Sequence, residues 1–254
     1  MKTILVSNDD GIHSPGIHAL AEILSELGRV YVVAPDRERN ASGHALTLHK
    51  PLRVEEIKKD FFSVNGTPTD CVNWGALKLC KKKPDLLVSG INKGGNLGDD
   101  VTYSGTVSAA FEGTLLKIQS IAVSQIGGPL YHFDAAAKVV LPLARMVLKK
   151  GLPRDILLNV NVPNLPFEEI GDFEMVPLGR RVYLDNDIIE KKDPRGKKYY
   201  WIGGTQIHWE KKVNTDYHAI TKNRVAVTPL HLDLTHYSFL EKMKSWKKDL
   251  NKTT

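Results

Sequence analysis

The chain has 254 residues, enough for one large α/β domain or two small ones. Hydrophobic residues make up 42% and charged residues 25%, a balance typical of globular proteins. No apolar run approaches the roughly 18 residues that a membrane-spanning helix requires. Two cysteines, Cys71 and Cys80, are too few for a disulfide framework or a cysteine zinc site, so we interpret them as reduced core residues. The N-terminus leads directly into a strand pattern without a signal peptide's apolar core, which predicts a cytoplasmic protein.

The formal net charge is +6, and lysines carry much of it. They cluster at residues 81–83 and along the C-terminal tail from residue 242 onwards. Such lysines suit either solvated helix ends or a surface for a phosphate backbone. We favour solvated helix ends, so a nucleic-acid partner is not expected, although a mildly positive protein still attracts small anions.

Short apolar strands alternate with amphipathic helices through the first 165 residues. Strands are predicted at 4–7, 30–34, 85–89, 121–124 and 156–160, and helices at 17–24, 68–79, 104–115 and 133–149. Between the second strand and second helix, residues 46–65 predict two or three short strands, as an antiparallel excursion. This alternation is typical of a parallel sheet covered on both faces by helices. We therefore predict an α/β fold, a three-layer Rossmann-like sandwich with a mostly parallel sheet, as a catalytic core over residues 1–165.

The pattern changes after residue 165, and residues 166–232 contain no clear helix. A charged turn at 193–196 followed by an aromatic segment at 198–203 predicts a long hairpin. A hairpin with exposed aromatics is marginal in isolation, so we expect it to pack on a second subunit. Residues 166–254 are thus predicted to form a hairpin-rich extension used in oligomerisation, with a protruding hairpin and a tail helix, rather than an independent domain.

Polar loops follow three of the predicted strands, at residues 8–11, 35–44 and 89–100. Because parallel strands point their C-terminal ends to one side of the sheet, these loops can meet in a single crevice. Asp9 and Asp10 are adjacent in the first loop, where their carboxylates repel unless a proton or a divalent cation lies between them. Oxygen ligands without a His/Cys cluster favour Mg²⁺, Mn²⁺ or Ca²⁺ over zinc. A solvated Asn-Asp-Asp-Gly turn is the alternative interpretation.

Ser104-Gly105-Thr106 opens the third predicted helix, where first-turn N–H groups and two hydroxyls suit a phosphate. An ordinary serine N-cap explains the same residues. The chain has no Gly-x-x-x-x-Gly-Lys-Ser/Thr motif, and no Gly-x-Gly-x-x-Gly follows the first strand, which counts against P-loop hydrolysis and dinucleotide binding. His13 and His44 lie in the candidate loops, and we interpret both as surface or hydrogen-bonding histidines.

Five ordered segments resemble the SurE (survival protein E) nucleotidase family. They are residues 7–12 (SNDDGI), 34–39 (APDRER), 66–72 (GTPTDCV), 89–98 (SGINKGGNLG) and 103–107 (YSGTV). The resemblance covers residues 3–125, and a weaker one continues through 228–230. It implies a metal-dependent phosphatase for nucleoside 5′- and 3′-monophosphates and short-chain polyphosphate. It also implies a homodimer or homotetramer in which C-terminal segments interlock.

The same resemblance implies the site residues. One divalent metal ion per subunit, Mg²⁺ or Mn²⁺ with Ca²⁺ as the alternative, would be held by Asp9, Asp10, Asn40 and Asn92, the two aspartates being catalytic. The family often has serine at position 40, but an amide oxygen can still ligate a hard cation, and Ser42 is the nearby substitute. The substrate phosphate would lie against Asn96, Ser104, Gly105 and Thr106.

Two rival interpretations start from other features of the chain. A haloacid-dehalogenase-type aspartyl phosphatase also places an aspartate after its first strand, but it needs an Asp-x-Asp-x-Thr/Val motif that the adjacent pair does not fit. A nucleotide- or nucleic-acid-binding module without catalysis is motivated by the basic tail. That module would bind nucleic acid in a salt-sensitive way that survives EDTA, without turnover of any phosphomonoester.

Overall fold

The computed structural model describes residues 1–182, 188–202 and 208–251, and residue 203 at the end of the predicted aromatic segment lies outside them. The strands are β1 (Lys2–Ser7), β2 (Gly28–Pro35), β3 (Val54–Lys58), β4 (Phe61–Val64), β5 (Leu86–Lys93), β6 (Gln119–Ile126), β7 (Ile156–Pro163), β8 (Phe173–Met175), β9 (Arg181–Val182), β10 (Ile188–Lys192), β11 (Lys198–Ile202), β12 (His208–Trp209) and β13 (Val225–His231). The α-helices are α1 (Pro15–Leu24), α2 (Pro68–Trp74), α3 (Gly105–Leu115), α4 (Phe133–Lys150), α5 (Asp216–Thr221), α6 (Tyr237–Met243) and α7 (Lys247–Leu250). Gly75–Leu79 continues α2 as a π-helix, and 3₁₀ turns occupy Gly98–Thr102, Phe167–Glu169 and Lys244–Trp246.

One nine-stranded sheet organises the chain, in the order β3-β4-β2-β1-β5-β6-β7-β13-β8. The strands from β4 to β7 are parallel, whereas β3 and β13 run antiparallel to the neighbours that join them to this block. The predicted mostly parallel α/β sheet is confirmed. The chain passes from β1 to β2 on one side and later returns to β5 on the other. The carboxyl ends of β1 and β5 therefore flank a topological switch point, where such sheets place their ligands.

Alternate residues of β1 face opposite layers, as strand geometry requires. Ile4 and Val6 pack with residues of α1 and α4, whereas Leu5 packs with residues of α2 and α3. All three side chains are fully buried, which explains the apolar run in the sequence. The sheet is thus covered on both faces, and the predicted three-layer arrangement is confirmed.

The second helix shows why local sequence places the elements where they are. Thr67 accepts a hydrogen bond from the backbone N–H of Asp70, whose carboxylate in turn accepts from the Thr67 N–H. This capping box satisfies two helix-end donors, and Pro68 at the first position has no N–H to satisfy. The helix therefore starts at the predicted residue.

The structure adds to the predicted organisation in two regions. Within 46–65, β3 and β4 pair antiparallel as expected, but β4 also pairs parallel with β2 and so extends the main sheet. After residue 165, β8 and β13 join the far edge of the same sheet. The expectation that 166–232 lacks helices is wrong, because α5 lies there with Thr215 as its N-cap.

The predicted hairpin is present as β10 and β11, joined across residues 193–197. Residues Tyr199, Tyr200, Trp201 and Ile202 on β11 are all exposed. No helix of the described residues is both long and apolar enough to cross a bilayer.

Candidate active site

The turn after β1 is fixed by its own side chains. The backbone N–H of Gly11 donates to Asn8 Oδ1 at 3.1 Å, and Asn8 Nδ2 returns a hydrogen bond to the Gly11 carbonyl at 3.0 Å. Gly11 has φ +93°, a left-handed conformation that glycine adopts without strain. Because Asn8 is fully buried, the turn holds Asp9 and Asp10 in a defined position at the end of the strand.

Asp9 is only 4% exposed and is held by the start of α3. The Thr106 hydroxyl donates a short hydrogen bond to Asp9 Oδ1. The backbone of Gly105 also lies close, since a Cβ at that position would be 2.9 Å from Asp9 Oδ2. Burial raises the pKa of Asp9, and the Thr106 hydrogen bond opposes that rise without cancelling it.

Asp10 is less buried than Asp9 and faces the end of β5. Its Oδ2 accepts a hydrogen bond from the backbone N–H of Lys93 at 3.1 Å. Burial, followed by repulsion from the Asp9 carboxylate, raises the pKa of Asp10 to about 6. The pair is therefore a site of concentrated negative charge that a cation would stabilise.

Two asparagines bring amide groups to the same place. Asn92 lies in β5, directly after the point where the pairing with β6 is interrupted, and its Nδ2 donates to the Gly94 carbonyl at 2.9 Å. Asn40, in the loop after β2, donates through Nδ2 to Glu38 Oε1 at 2.6 Å. Since both amide nitrogens are used by the protein, the amide oxygens are the groups suited to a cation.

Ser104 forms the N-cap of α3, where its Oγ accepts from the Val107 N–H at 3.0 Å. The serine cap leaves its hydroxyl proton for another acceptor, and the Gly105 N–H that follows it is the first-turn donor left for a ligand. The fully buried hydroxyl of Thr106 is turned to Asp9. The backbone N–H of Thr106 is also hydrogen-bonded to Asp9, so both donors of Thr106 orient that carboxylate, and its role in phosphate binding stays a prediction.

Asn96 is anchored from the neighbouring strands. Its backbone N–H donates to Asn161 Oδ1 at 2.9 Å, and its carbonyl accepts from the side chains of Asn159 and Asn161. Its Nδ2 donates to Ser124 Oγ at 2.6 Å. These bonds fix the glycine-rich loop against β6 and β7, so Asn96 contributes order to the site as well as a polar group.

A cleft of about 290 Å³ joins these residues at the switch point. The predicted residues that line this cleft are Asp9, Asn40, Asn92, Asn96 and Ser104. The other three lie behind the lining residues, since Asp10 contacts Lys93, and Gly105 and Thr106 contact Asp9. The lining residues that the sequence reasoning missed are Glu38, Ala41, Lys93, Asp100, Tyr103 and Arg181. Glu38, Lys93 and Tyr103 could have been predicted, because they lie inside the segments 34–39, 89–98 and 103–107. Arg181 comes from β9, and no pattern in the neighbouring sequence indicates that it lines the cleft.

Neither candidate histidine lines this cleft. His13 is exposed, and His44 Nε2 lies 2.7 Å from Glu112 Oε2 on α3. Within residues 1–182, 188–202 and 208–251, no group of three His, Cys, Asp or Glu side chains is arranged to hold a metal ion. A cation between the aspartates would therefore need amide or hydroxyl oxygens to complete its ligands.

The geometry agrees with what comparisons with known proteins find. The family model described as "Survival protein SurE" matches residues 4–185, which include every residue of the cleft. The chain belongs to the SurE family. The matched range includes both the carboxylate pair and the glycine-rich loop.

SurE relatives match nearly the whole chain. The protein named 5′-nucleotidase SurE of Geobacter sulfurreducens is 58% identical over 96% of this chain and 93% of its own length. The protein of the same name from Pelobacter propionicus is 54% identical over 96% of this chain and 98% of its own. The crystal structure of the SurE protein from Aquifex aeolicus is 47% identical and superposes with a TM-score of 0.86, covering 96% of this chain and 99% of that one. The match therefore extends to the C-terminal elements.

Proposed function

We propose that this chain hydrolyses the phosphate ester of nucleoside 5′-monophosphates, with 3′-monophosphates and short-chain polyphosphate as further substrates. The observation that carries the proposal is the contact between Asp9 and the N-terminus of α3, which places a carboxylate pair beside an anion-binding helix end. Relatives covering 96% of the chain bear the name 5′-nucleotidase SurE, which supports the reaction. A phosphate-backbone binding surface would not need two raised-pKa carboxylates in its cleft.

The donor set fits a divalent metal ion. Burial raises the pKa of both aspartates, repulsion from Asp9 adds to the rise at Asp10, and a cation between them would remove that cost. The oxygens offered by Asn40 and Asn92 are hard ligands of the kind that Mg²⁺, Mn²⁺ and Ca²⁺ accept. Ser42 Oγ is buried, has no hydrogen-bond partner among the described residues and lies close to Asp9 through Gly105, so it is the alternative to Asn40. We therefore assign the cation to Asp9, Asp10, Asn40 and Asn92.

Residues of the chain would divide the work along the cleft. When bound, the cation would polarise a phosphoryl oxygen and lower the pKa of an attacking water. The Thr106 hydroxyl and the Lys93 N–H hold the two carboxylates in position. The Ser104 hydroxyl and the Gly105 N–H would donate to the phosphoryl oxygens as their negative charge grows.

A substrate and metal screen tests this function. We expect phosphate release from AMP and GMP with Mg²⁺, Mn²⁺ or Ca²⁺ at matched concentrations, complete loss in EDTA and recovery when the cation is restored. Adenosine 3′-monophosphate and tripolyphosphate in the same screen define the wider range. No release from any of these with any cation, together with salt-sensitive nucleic-acid binding that survives EDTA, would instead support a binding module.

Cation binding should depend on pH because protons compete for the same carboxylate. With a pKa of about 6, Asp10 is ionised at pH 8 and mostly protonated at pH 5. We expect the rise in Tm caused by saturating Ca²⁺ at pH 8 to shrink strongly at pH 5. Thermal unfolding at both pH values, with Asp10→Asn as the variant that should show little rise at either, measures the effect. An equal rise at both pH values would contradict the assignment of Asp10.

We also infer that the chain works as a homodimer or homotetramer built through its hairpin. The exposed aromatic and aliphatic side chains of β11 lie on both faces of a two-stranded unit that is separate from the main sheet, and they leave apolar surface for a second chain to cover. Light scattering on a size-exclusion column should give a mass of two or four chains. Replacing Tyr200 and Trp201 by Ser should lower that mass, and an unchanged monomer in both proteins would contradict the inference.

A further inference from the structure

The cleft contains an ion pair that the proposed chemistry does not use. Arg181 Nη1 donates to Asp100 Oδ1 at 3.0 Å, and the two side chains are 20% and 21% exposed. Both residues line the same cleft as Asp9 and Ser104. The pair is thus partly shielded from solvent, and a substrate in the cleft can reach it.

The backbone holds this pair rigidly from both sides. Arg181 begins β9, which pairs with β12, and its N–H donates to Asp99 Oδ2 at 3.0 Å. On the other side, the N–H of Gly98 donates to Asp216 Oδ2 at 2.8 Å, and Asp216 is fully buried. The C-terminal part of the chain therefore fixes the 3₁₀ turn that carries Asp100.

The position of the pair within the cleft indicates which part of a substrate it meets. The phosphate is expected against Asn96 and Ser104, while Asp100 and Arg181 line the same cleft from the 3₁₀ turn and from β9. A nucleotide whose phosphate lies against the start of α3 has to place its sugar against other lining residues, and Asp100 and Arg181 form an ion pair among them. The sugar presents hydroxyl donors, and a carboxylate is a strong acceptor for them.

Charge explains why the carboxylate is paired. An unpaired Asp100 would repel the phosphate dianion in the same cleft, whereas the Arg181 guanidinium cancels that charge. Arg181 bonds to Oδ1, and no hydrogen bond of the described residues engages Oδ2, so that oxygen is the acceptor left for a ligand. A neutral pair that retains one strong acceptor suits a sugar hydroxyl better than it suits a phosphate.

We propose that Asp100 recognises the sugar of the substrate, with Oδ2 accepting a hydrogen bond from a ribose hydroxyl and with Arg181 as its positioning residue. This proposal rests on the nucleotidase activity proposed above. Its consequence is that ribonucleotides are better substrates than their deoxy analogues. The loss of one hydrogen bond to a charged group should lower kcat/KM for a deoxy analogue between about 10-fold and about 100-fold relative to the ribonucleotide.

The test compares kcat/KM for AMP, 2′-deoxy-AMP, 3′-deoxy-AMP and p-nitrophenyl phosphate, which has no sugar, with the same cation. For the unmodified protein, kcat/KM for at least one deoxy analogue should be between about 10-fold and about 100-fold lower than kcat/KM for AMP. In Asp100→Ala, kcat/KM for AMP should fall to the value measured for that analogue, whereas kcat/KM for p-nitrophenyl phosphate should change far less. Asp100→Asn, which preserves shape and one acceptor oxygen, should keep part of the discrimination.

Arg181→Ala should raise KM for AMP, because it leaves the Asp100 carboxylate unpaired beside the phosphate, and Arg181→Lys should recover part of the loss. Glu174→Ala is the matched control, since it removes the ion pair between Glu174 and Arg224, which lies outside the cleft. The ratio of kcat/KM between AMP and its deoxy analogues should stay unchanged in this variant. An equal fall for all four substrates in Asp100→Ala would make the ion pair merely structural and overturn the proposal.

Two further outcomes separate this proposal from the one it rests on. If the unmodified protein releases phosphate from AMP and both deoxy analogues at equal rates, the sugar recognition is wrong while the nucleotidase activity stands. If it releases phosphate from none of the four compounds, the nucleotidase proposal is wrong and the sugar recognition is overturned with it.

Discussion

Replacing Asp10 by Asn should stabilise the metal-free protein at pH 8 and remove almost all phosphatase activity. The Asp10 carboxyl has a pKa of about 6 in the folded chain and an ordinary value of 3.8. The folded state thus binds its proton more tightly than the unfolded state does. Ionising Asp10 therefore costs stability above pH 6, and this cost disappears as the pH falls below 3.8.

The size of this cost follows from the two pKa values. Their difference corresponds to roughly 3 kcal/mol of unfolding free energy at pH 8, as an upper figure for a partly exposed group. Asparagine has nearly the same shape, and its Oδ1 can still accept the hydrogen bond from Lys93. Asp10→Asn should consequently raise the free energy of unfolding in EDTA at pH 8, with the gain vanishing near pH 4.

Urea denaturation in EDTA at pH 8 and pH 4 measures the stability effect. Asp85→Asn is the matched control, because Lys2 holds the pKa of that surface carboxyl below its ordinary value. Neutralising Asp85 should lower stability slightly at pH 8 or leave it unchanged. A loss of stability in Asp10→Asn as large as that in a core variant would show that the carboxyl is a structural anchor.

Activity should move in the opposite direction from stability. Without the second carboxylate, the proposed cation would lose half of its anionic ligands, and kcat/KM for AMP should fall at least about 100-fold. Asp9→Asn should lose activity to the same extent, since it removes the other carboxylate of the pair. Full EDTA-sensitive activity in either variant would contradict the assignment of the pair.

Within the parallel block, β1, β2, β5, β6 and β7 were predictable from the sequence because each contains a short apolar run that is buried, whereas β4 was expected only in an antiparallel excursion. Ile4, Leu5 and Val6 are all fully buried, although they face different helical layers. The edges of the sheet were less predictable. Strand β13 joins β7 antiparallel from a distant part of the chain, and the six residues of α5 are too few to show a helical period.

The site was predictable where its residues are adjacent in sequence or follow a strand end. Asp9 and Asp10 are neighbours, and Asn92 lies at the end of β5, so the switch-point rule brings them together. The direction of the Thr106 hydroxyl was not predictable, because a helix N-terminus offers both the cleft and Asp9 as partners. Arg181 was not predictable either, since the β9–β12 pairing that delivers it is set by tertiary contacts.

Replacing Gly105 by Ala should impair both activity and stability, although alanine is the better helix former. A Cβ at position 105 would lie 2.7 Å from Ser42 Oγ and 2.8 Å from the Asp9 Cβ, closer than real Cβ contacts come. Asp9 cannot retreat easily, because it is almost fully buried and is bonded to Thr106. We expect overpacking to cost about 1 to 3 kcal/mol. Displacement of Asp9 should lower kcat/KM for AMP at least about 10-fold.

A double variant separates the two contacts that alanine would make. Ser42→Ala removes the Oγ from the crowded point, so Gly105→Ala/Ser42→Ala should recover part of the lost stability. Activity should stay low in that double variant, because the clash with Asp9 remains. Gly196→Ala is the control for an added methyl group, since its Cβ would meet no atom within 4 Å and its φ of +79° adds only local strain in the hairpin turn. Recovery of full activity in the double variant would show that the contact with Ser42, and not the contact with Asp9, is the reason why position 105 needs glycine.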